Sequence, residues 1–142
     1  MGGARGRLAV VPDIDVVDST WIAARPAAVS AVVSEPSNWR RWWPDLDLLV
    51  DEWRGAKGVR WTVRGTADGH VGSMEIWLEQ ALDGVVVHYF LRLDGAGGRP
   101  IRSGRARRAQ DRYRRRVKQI MWRLGDELDP GRIARICAPP GR

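Results

Sequence analysis

The chain has 142 residues, 44% of them hydrophobic and 29% charged, with a formal net charge of +7; this is the composition of one globular domain and excludes a disordered or membrane-embedded chain. At this length roughly 68–70% of the unfolded surface can be buried, so a full core is expected. The single cysteine, Cys137, excludes an internal disulfide, and no Cys/His grouping has zinc-site spacing, so we expect a cytoplasmic protein with no cofactor and no metal.

Residues 1–12 read as a flexible tail rich in Gly and Arg, without the layout of a secretory signal. Alternation over residues 16–23 (VVDSTWIA) predicts a first strand. Pro26 then opens a short helix at the position where a missing N–H costs nothing, with Ala28, Val29, Val32 and Val33 at helical spacing. Pro36 ends it, and Ser37 is the expected cap of a second short helix through Trp39, Trp42 and Trp43 that Pro44 closes. Four period-two runs follow, at residues 46–53, 58–65, 69–80 and 84–94. Each gap holds a glycine, the residue that supplies positive φ in a tight turn, so the pattern predicts an antiparallel meander.

Parity sorts this sheet into two faces. Val59, Trp61, Val63, Met74, Ile76, Leu78, Val85, Val87, Tyr89 and Leu91 share one; Arg60, Thr62, Arg64, Glu75, Trp77, Glu79, His88, Phe90 and Arg92 share the other. The first is dry. On the second, Glu on the middle strand is expected to pair with Arg on its neighbours. The dry face needs a cover, and Ala106, Ala109, Tyr113, Val117, Ile120, Met121, Leu124 and Leu128 form an apolar stripe at steps of three and four. That predicts one long amphipathic helix, preceded by a glycine-rich loop.

Basic charge is concentrated in that last segment. Residues 1–100 carry 11 Lys+Arg against 13 Asp+Glu, whereas residues 101–142 carry 13 against 4. A nucleic-acid contact through the Arg-rich helix is one reading. We do not favour it, because the arginines spread around three sides of the helix instead of one. Trp122 projects away from the apolar stripe, which leaves a homodimer contact, a lipid headgroup or the terminal tail open. No apolar run is long enough for a transmembrane segment.

Strand, two short helices, meander and long helix, in this order, resemble the SRPBCC or START-like superfamily. The segment WIAARPAAVSAVVSEPSNWRRWWPDL resembles the opening of its polyketide cyclase/dehydrase-type members, and GSMEIWLEQALDGVVVHYFLRLD with KQIMWRLGDEL are similar to the later strands and helix of its actinobacterial branch. The resemblance spans residues 16–128. It implies an α+β helix-grip fold, a curved antiparallel sheet around a C-terminal helix, forming one domain at residues 13–129 before a tail at 130–142. It also implies a cavity for a small apolar molecule, lipid or polyketide-like, walled by Trp42, Trp43, Trp61, Met74, Ile76, Leu78, Val87, Tyr89, Leu91, Tyr113, Val117 and Met121. The same side chains equally fit a filled core.

A cyclase or dehydratase would need a proton carrier inside, and the inner face offers only Tyr89 and Tyr113. No nucleophile elbow, P-loop or other catalytic motif is present, so catalytic residues stay unassigned. His70 and His88 are expected on or near the wet edge, paired with Glu75 or Glu79.

Overall fold

The computed structural model describes residues 11–129 and 131; both expected tails and Cys137 lie mostly or wholly outside the described residues. The chain runs β1 (Ile14–Ile22), α1 (Pro26–Val33), α2 (Pro36–Trp42), β2 (Leu46–Trp53), β3 (Gly58–Thr66), β4 (His70–Ala81), β5 (Gly84–Gly95) and α3 (Ser103–Leu128), with single 3-10 turns at Gly55–Lys57 and Ala96–Gly98. The strands form one antiparallel sheet in the order β1-β5-β4-β3-β2. The meander supplies four neighbours in sequence, and β1 closes the sheet on the far side of β5. Both edges are treated differently: β2 carries two irregularities, between Asp47 and Leu48 and between Val50 and Glu52, which bend an edge strand away from pairing with another chain.

Register builds the dry face row by row. Val50 opposes Trp61, Trp61 opposes Met74, Met74 opposes Leu91, and Leu91 opposes Val16, one apolar row across all five strands. Every inner-face residue expected from parity is buried. On the outer face the charges pair with other partners than the strand neighbours first suggest. Glu75 sits opposite Arg60 but takes Arg54 from the turn after β2, while Arg60 turns to Asp51 at 3.5 Å and Arg92 to Asp15 at 3.9 Å. Arg54 also lies over the exposed Trp77 ring, 5.7 Å from its centroid.

Two local expectations need correcting. Ser37 does not cap α2. The helix starts two residues earlier, at Pro36, and Glu35 caps it, its carboxylate accepting from the Ser37 N–H at 3.2 Å. In the β4–β5 turn the left-handed residue is Leu82, φ +54, and not the glycine. Gly84 is needed for closeness instead: a Cβ there would stand 2.2 Å from the Ile22 carbonyl oxygen.

Helix α3 lies over the dry face, but its backbone runs closest to β1 and stands farther from the rest of the sheet. Three ties hold that alignment. The Asp15 N–H donates to Gln110 Oε1 (3.3 Å), Lys118 pairs with Asp18 (2.9 Å), and the Ala23 N–H donates to Asp129 (3.4 Å). The remaining gap between α3 and strands β3–β5 is spanned by large side chains.

Candidate functional site

That spanned gap is where the sequence places the binding residues. All twelve are buried, although Trp42 lies outside that gap: Trp42, Trp43, Trp61, Met74, Ile76, Leu78, Val87, Tyr89, Leu91, Tyr113, Val117 and Met121. Strand parity delivers those on β3, β4 and β5, and the stripe of α3 delivers Tyr113, Val117 and Met121.

Trp43 is delivered by a proline. The residue before Pro44 is pushed out of the helical region, and Trp43 sits at φ −131, ψ 65 while its N–H still closes the last turn on the Trp39 carbonyl at 2.8 Å. Its indole is left 1% exposed, with its ring centroid 6.0 Å from both the Tyr89 and the Tyr113 rings. Trp42 faces elsewhere, beside Arg116, Ile120 and Arg123 in a small groove. Trp39 clamps α2 to α1 by donating from Nε1 to the Val33 carbonyl at 2.5 Å, and packs edge-on against Trp61 at 4.9 Å. Of the adjoining tryptophans, Trp43 is therefore the one that meets both tyrosines.

Three polar groups stand out among these buried side chains. Tyr89 donates its hydroxyl proton to the Met74 sulfur at 2.7 Å. The Nε1 atoms of Trp43 and Trp61 are buried and have no acceptor among the described residues. Burial pushes the Tyr89 phenol well above its ordinary range, and the facing Trp43 indole N–H opposes this more weakly without the alignment of a full hydrogen bond. Tyr89 is thus a neutral donor at physiological pH. Trp43 also lies beside a groove of about 490 Å³, open to solvent, lined with it by Pro36, Trp39, Arg40, Leu46 and Leu48.

Two residues take places that the sequence reading did not assign. Arg116, expected among the solvated arginines, lies over the Trp43 ring at 5.6 Å, donates to the Trp42 carbonyl at 3.1 Å and meets Asp45 at 3.5 Å. His70, expected near the wet edge, is only 4% exposed. Parity carried the signal, since positions 70, 72, 74, 76 and 78 share the dry face; the turn next to it obscured where that face ends. His88 does occupy the wet face and pairs with Glu79 at 2.8 Å. Among the described residues no cluster of His, Cys, Asp or Glu could hold a metal, and no helix is long and apolar enough to cross a membrane.

An antiparallel sheet gripping one long C-terminal helix, with two short helices inserted after the first strand, defines a helix-grip protein. Its architecture is similar to that of the Aha1 dimer from Colwellia psychrerythraea, with a TM-score of 0.57 at 13% identity, covering 83% of this chain and 98% of that one. A protein of Thermus thermophilus superposes at 0.48 and 14% identity, over 80% and 96% of the two chains. The di-domain ARO/CYC StfQ from the steffimycin biosynthetic pathway does so at 0.45 and 14% identity, over 85% of this chain and 52% of that one. At these identities the likeness is one of fold. No protein-family model and no curated protein matches the sequence.

Proposed function

We propose that the domain at residues 13–129 binds a small apolar molecule carrying a hydrogen-bond acceptor, lipid or polyketide-like, between the sheet and α3. The observation that carries this reading is the pair of unanswered indole N–H groups of Trp43 and Trp61 within apolar walls. Leaving a buried donor unpaired costs about 1–3 kcal/mol, and a ligand carbonyl would recover that while its carbon skeleton fills the apolar space. The groove beside Trp43 offers the way in. The resemblance to polyketide cyclase/dehydrase-type sequences supports the same ligand class.

Native mass spectrometry of the protein purified from its own host tests this directly, and is expected to show a co-purifying small molecule. Adding long-chain fatty acids or polycyclic aromatic ketones to the empty protein should raise its Tm, since a ligand at 100 times its Kd stabilises by about 2.7 kcal/mol. The rise should shrink in Trp43→Phe and Trp61→Phe, which keep an aromatic ring but lose the N–H. No bound mass, together with no shift for either ligand set, would end the proposal.

A second reading, an enzyme of the cyclase or dehydratase type, is favoured by one observation, the buried Tyr89 phenol beside Met74 and Trp43. It requires Tyr89→Phe to remove turnover while ligand binding survives.

A further inference from the structure

The start of α3 meets the start of β4 and the end of β5. A groove of about 620 Å³ lies there, lined by His70, Gly95, Arg99, Arg102 and Arg105, with Asp68 at its rim. Its charge is one-sided. All three arginines are exposed, and none of them meets a carboxylate among the described residues. Asp68, the one carboxylate in the lining, is already engaged by Arg112 at 2.8 Å.

The helix itself adds to this. α3 has no capping side chain and no acidic residue in its first turn. Its first internal bond runs from the Ala106 N–H to the Arg102 carbonyl at 2.8 Å, so the N–H groups of Ser103, Gly104 and Arg105 come before any intrahelical partner. The positive end of a helix normally attracts a carboxylate or another anion. Here three exposed guanidiniums line the groove beside it, adding positive charge to the positive end of the helix.

His70 is the independent sign that something binds. It lines the groove, is 4% exposed, and its Nδ1 is buried with no hydrogen-bond partner among the described residues. Buried polar side-chain atoms nearly always have a partner.

We infer that this groove binds a phosphate group, held by Arg99, Arg102 and Arg105, by the free N–H groups at the start of α3, and by His70. Guanidinium forks match the geometry of phosphate oxygens, and the site is independent of the apolar chamber proposed above. The phosphate could be carried by a soluble ester or by a lipid headgroup, and the experiment separates these.

Isothermal titration of the full chain with inorganic phosphate should show saturable one-to-one binding, weakened about tenfold by Arg102→Ala or Arg105→Ala, one charge-assisted contact each, and several-fold by His70→Gln. Arg114→Ala and Arg115→Ala, which remove equal charge from the same helix outside the groove, should leave it unchanged. If phosphate does not bind but vesicles with phosphatidic acid do, in preference to phosphatidylcholine and with the same variant pattern, the headgroup is the source. Absence of both kinds of binding, or equal weakening by the Arg114 and Arg115 variants, overturns the inference; the two surface arginine variants decide the matter even if His70→Gln folds poorly.

Discussion

The guanidinium of Arg116 lies 5.6 Å above the Trp43 ring while its Nη1 donates to the carbonyl of Trp42 at 3.1 Å. One side chain of α3 therefore holds both the ring that meets Tyr89 and Tyr113 and the backbone that turns it inward. Arg116→Ala should destabilise the protein by about 1–2 kcal/mol, combining a partly exposed cation–π contact with one charged hydrogen bond. Arg116→Lys should recover only part of this, because an ammonium cannot stack and donate to the carbonyl at the same time. Urea denaturation followed by tryptophan fluorescence measures both; equal stability of all three proteins would refute the clamp.

Tyr89 predicts the behaviour in alkali. Its phenol is raised above the ordinary value of 10.0 by burial, so above pH 10 the native chain keeps a proton that the unfolded chain has released. Unfolding then becomes more favourable as pH rises, by about 1.4 kcal/mol per pH unit from about pH 10 until the native phenol itself ionises, with no contribution below pH 10. Tyr89→Phe should remove this slope from the pH dependence of stability. Absorbance of tyrosinate in the native protein should meanwhile lack the Tyr89 contribution at pH 10–11.

The β4–β5 turn offers a gain in stability. Leu82 is 90% exposed at φ +54, a conformation that costs a side chain other than Gly or Asn roughly 1 kcal/mol. Leu82→Asn should raise Tm by about 2–4 °C, the shift that 1 kcal/mol produces in a domain near this size. Gly84→Ala, two residues on, should lower Tm, because its Cβ would collide with the Ile22 carbonyl. Calorimetric scans that placed both variants on the same side of the parent would contradict the turn geometry.

At the start of α2 the two candidate caps can be told apart. Glu35→Ala should cost about 0.5–1 kcal/mol by freeing the Ser37 N–H. Ser37→Ala should cost less, since the Ser37 hydroxyl only donates to the same exposed carboxylate at 3.0 Å. Chemical denaturation of the two variants side by side reads the order directly, and a larger loss for Ser37→Ala would restore the serine cap.

Much of the architecture was open to reading because it rests on repeating patterns. The alternation through Val59–Trp61–Val63 and Met74–Ile76–Leu78 and the three-and-four spacing from Ala106 to Leu128 each mark one buried face, and a one-residue slip would turn the whole set into water. His70 shows the limit of the same rule: it obeys the parity of β4, yet only the arrival of α3 from more than thirty residues away extends the buried face to it.

The linear order of residues determined the five strands, the two short helices, the covering helix and the side that each element buries, because these follow from periodicity and from local breakers such as Pro26, Pro36 and Pro44. Only the tertiary structure decided that Trp43, and not Trp42, meets Tyr89 and Tyr113, that Arg116 leaves the solvated arginines to hold it, and that Arg99, Arg102 and Arg105 gather around His70. Those relations join side chains distant in sequence, and their distances are set by how far α3 stands from each strand, a quantity that no local pattern encodes.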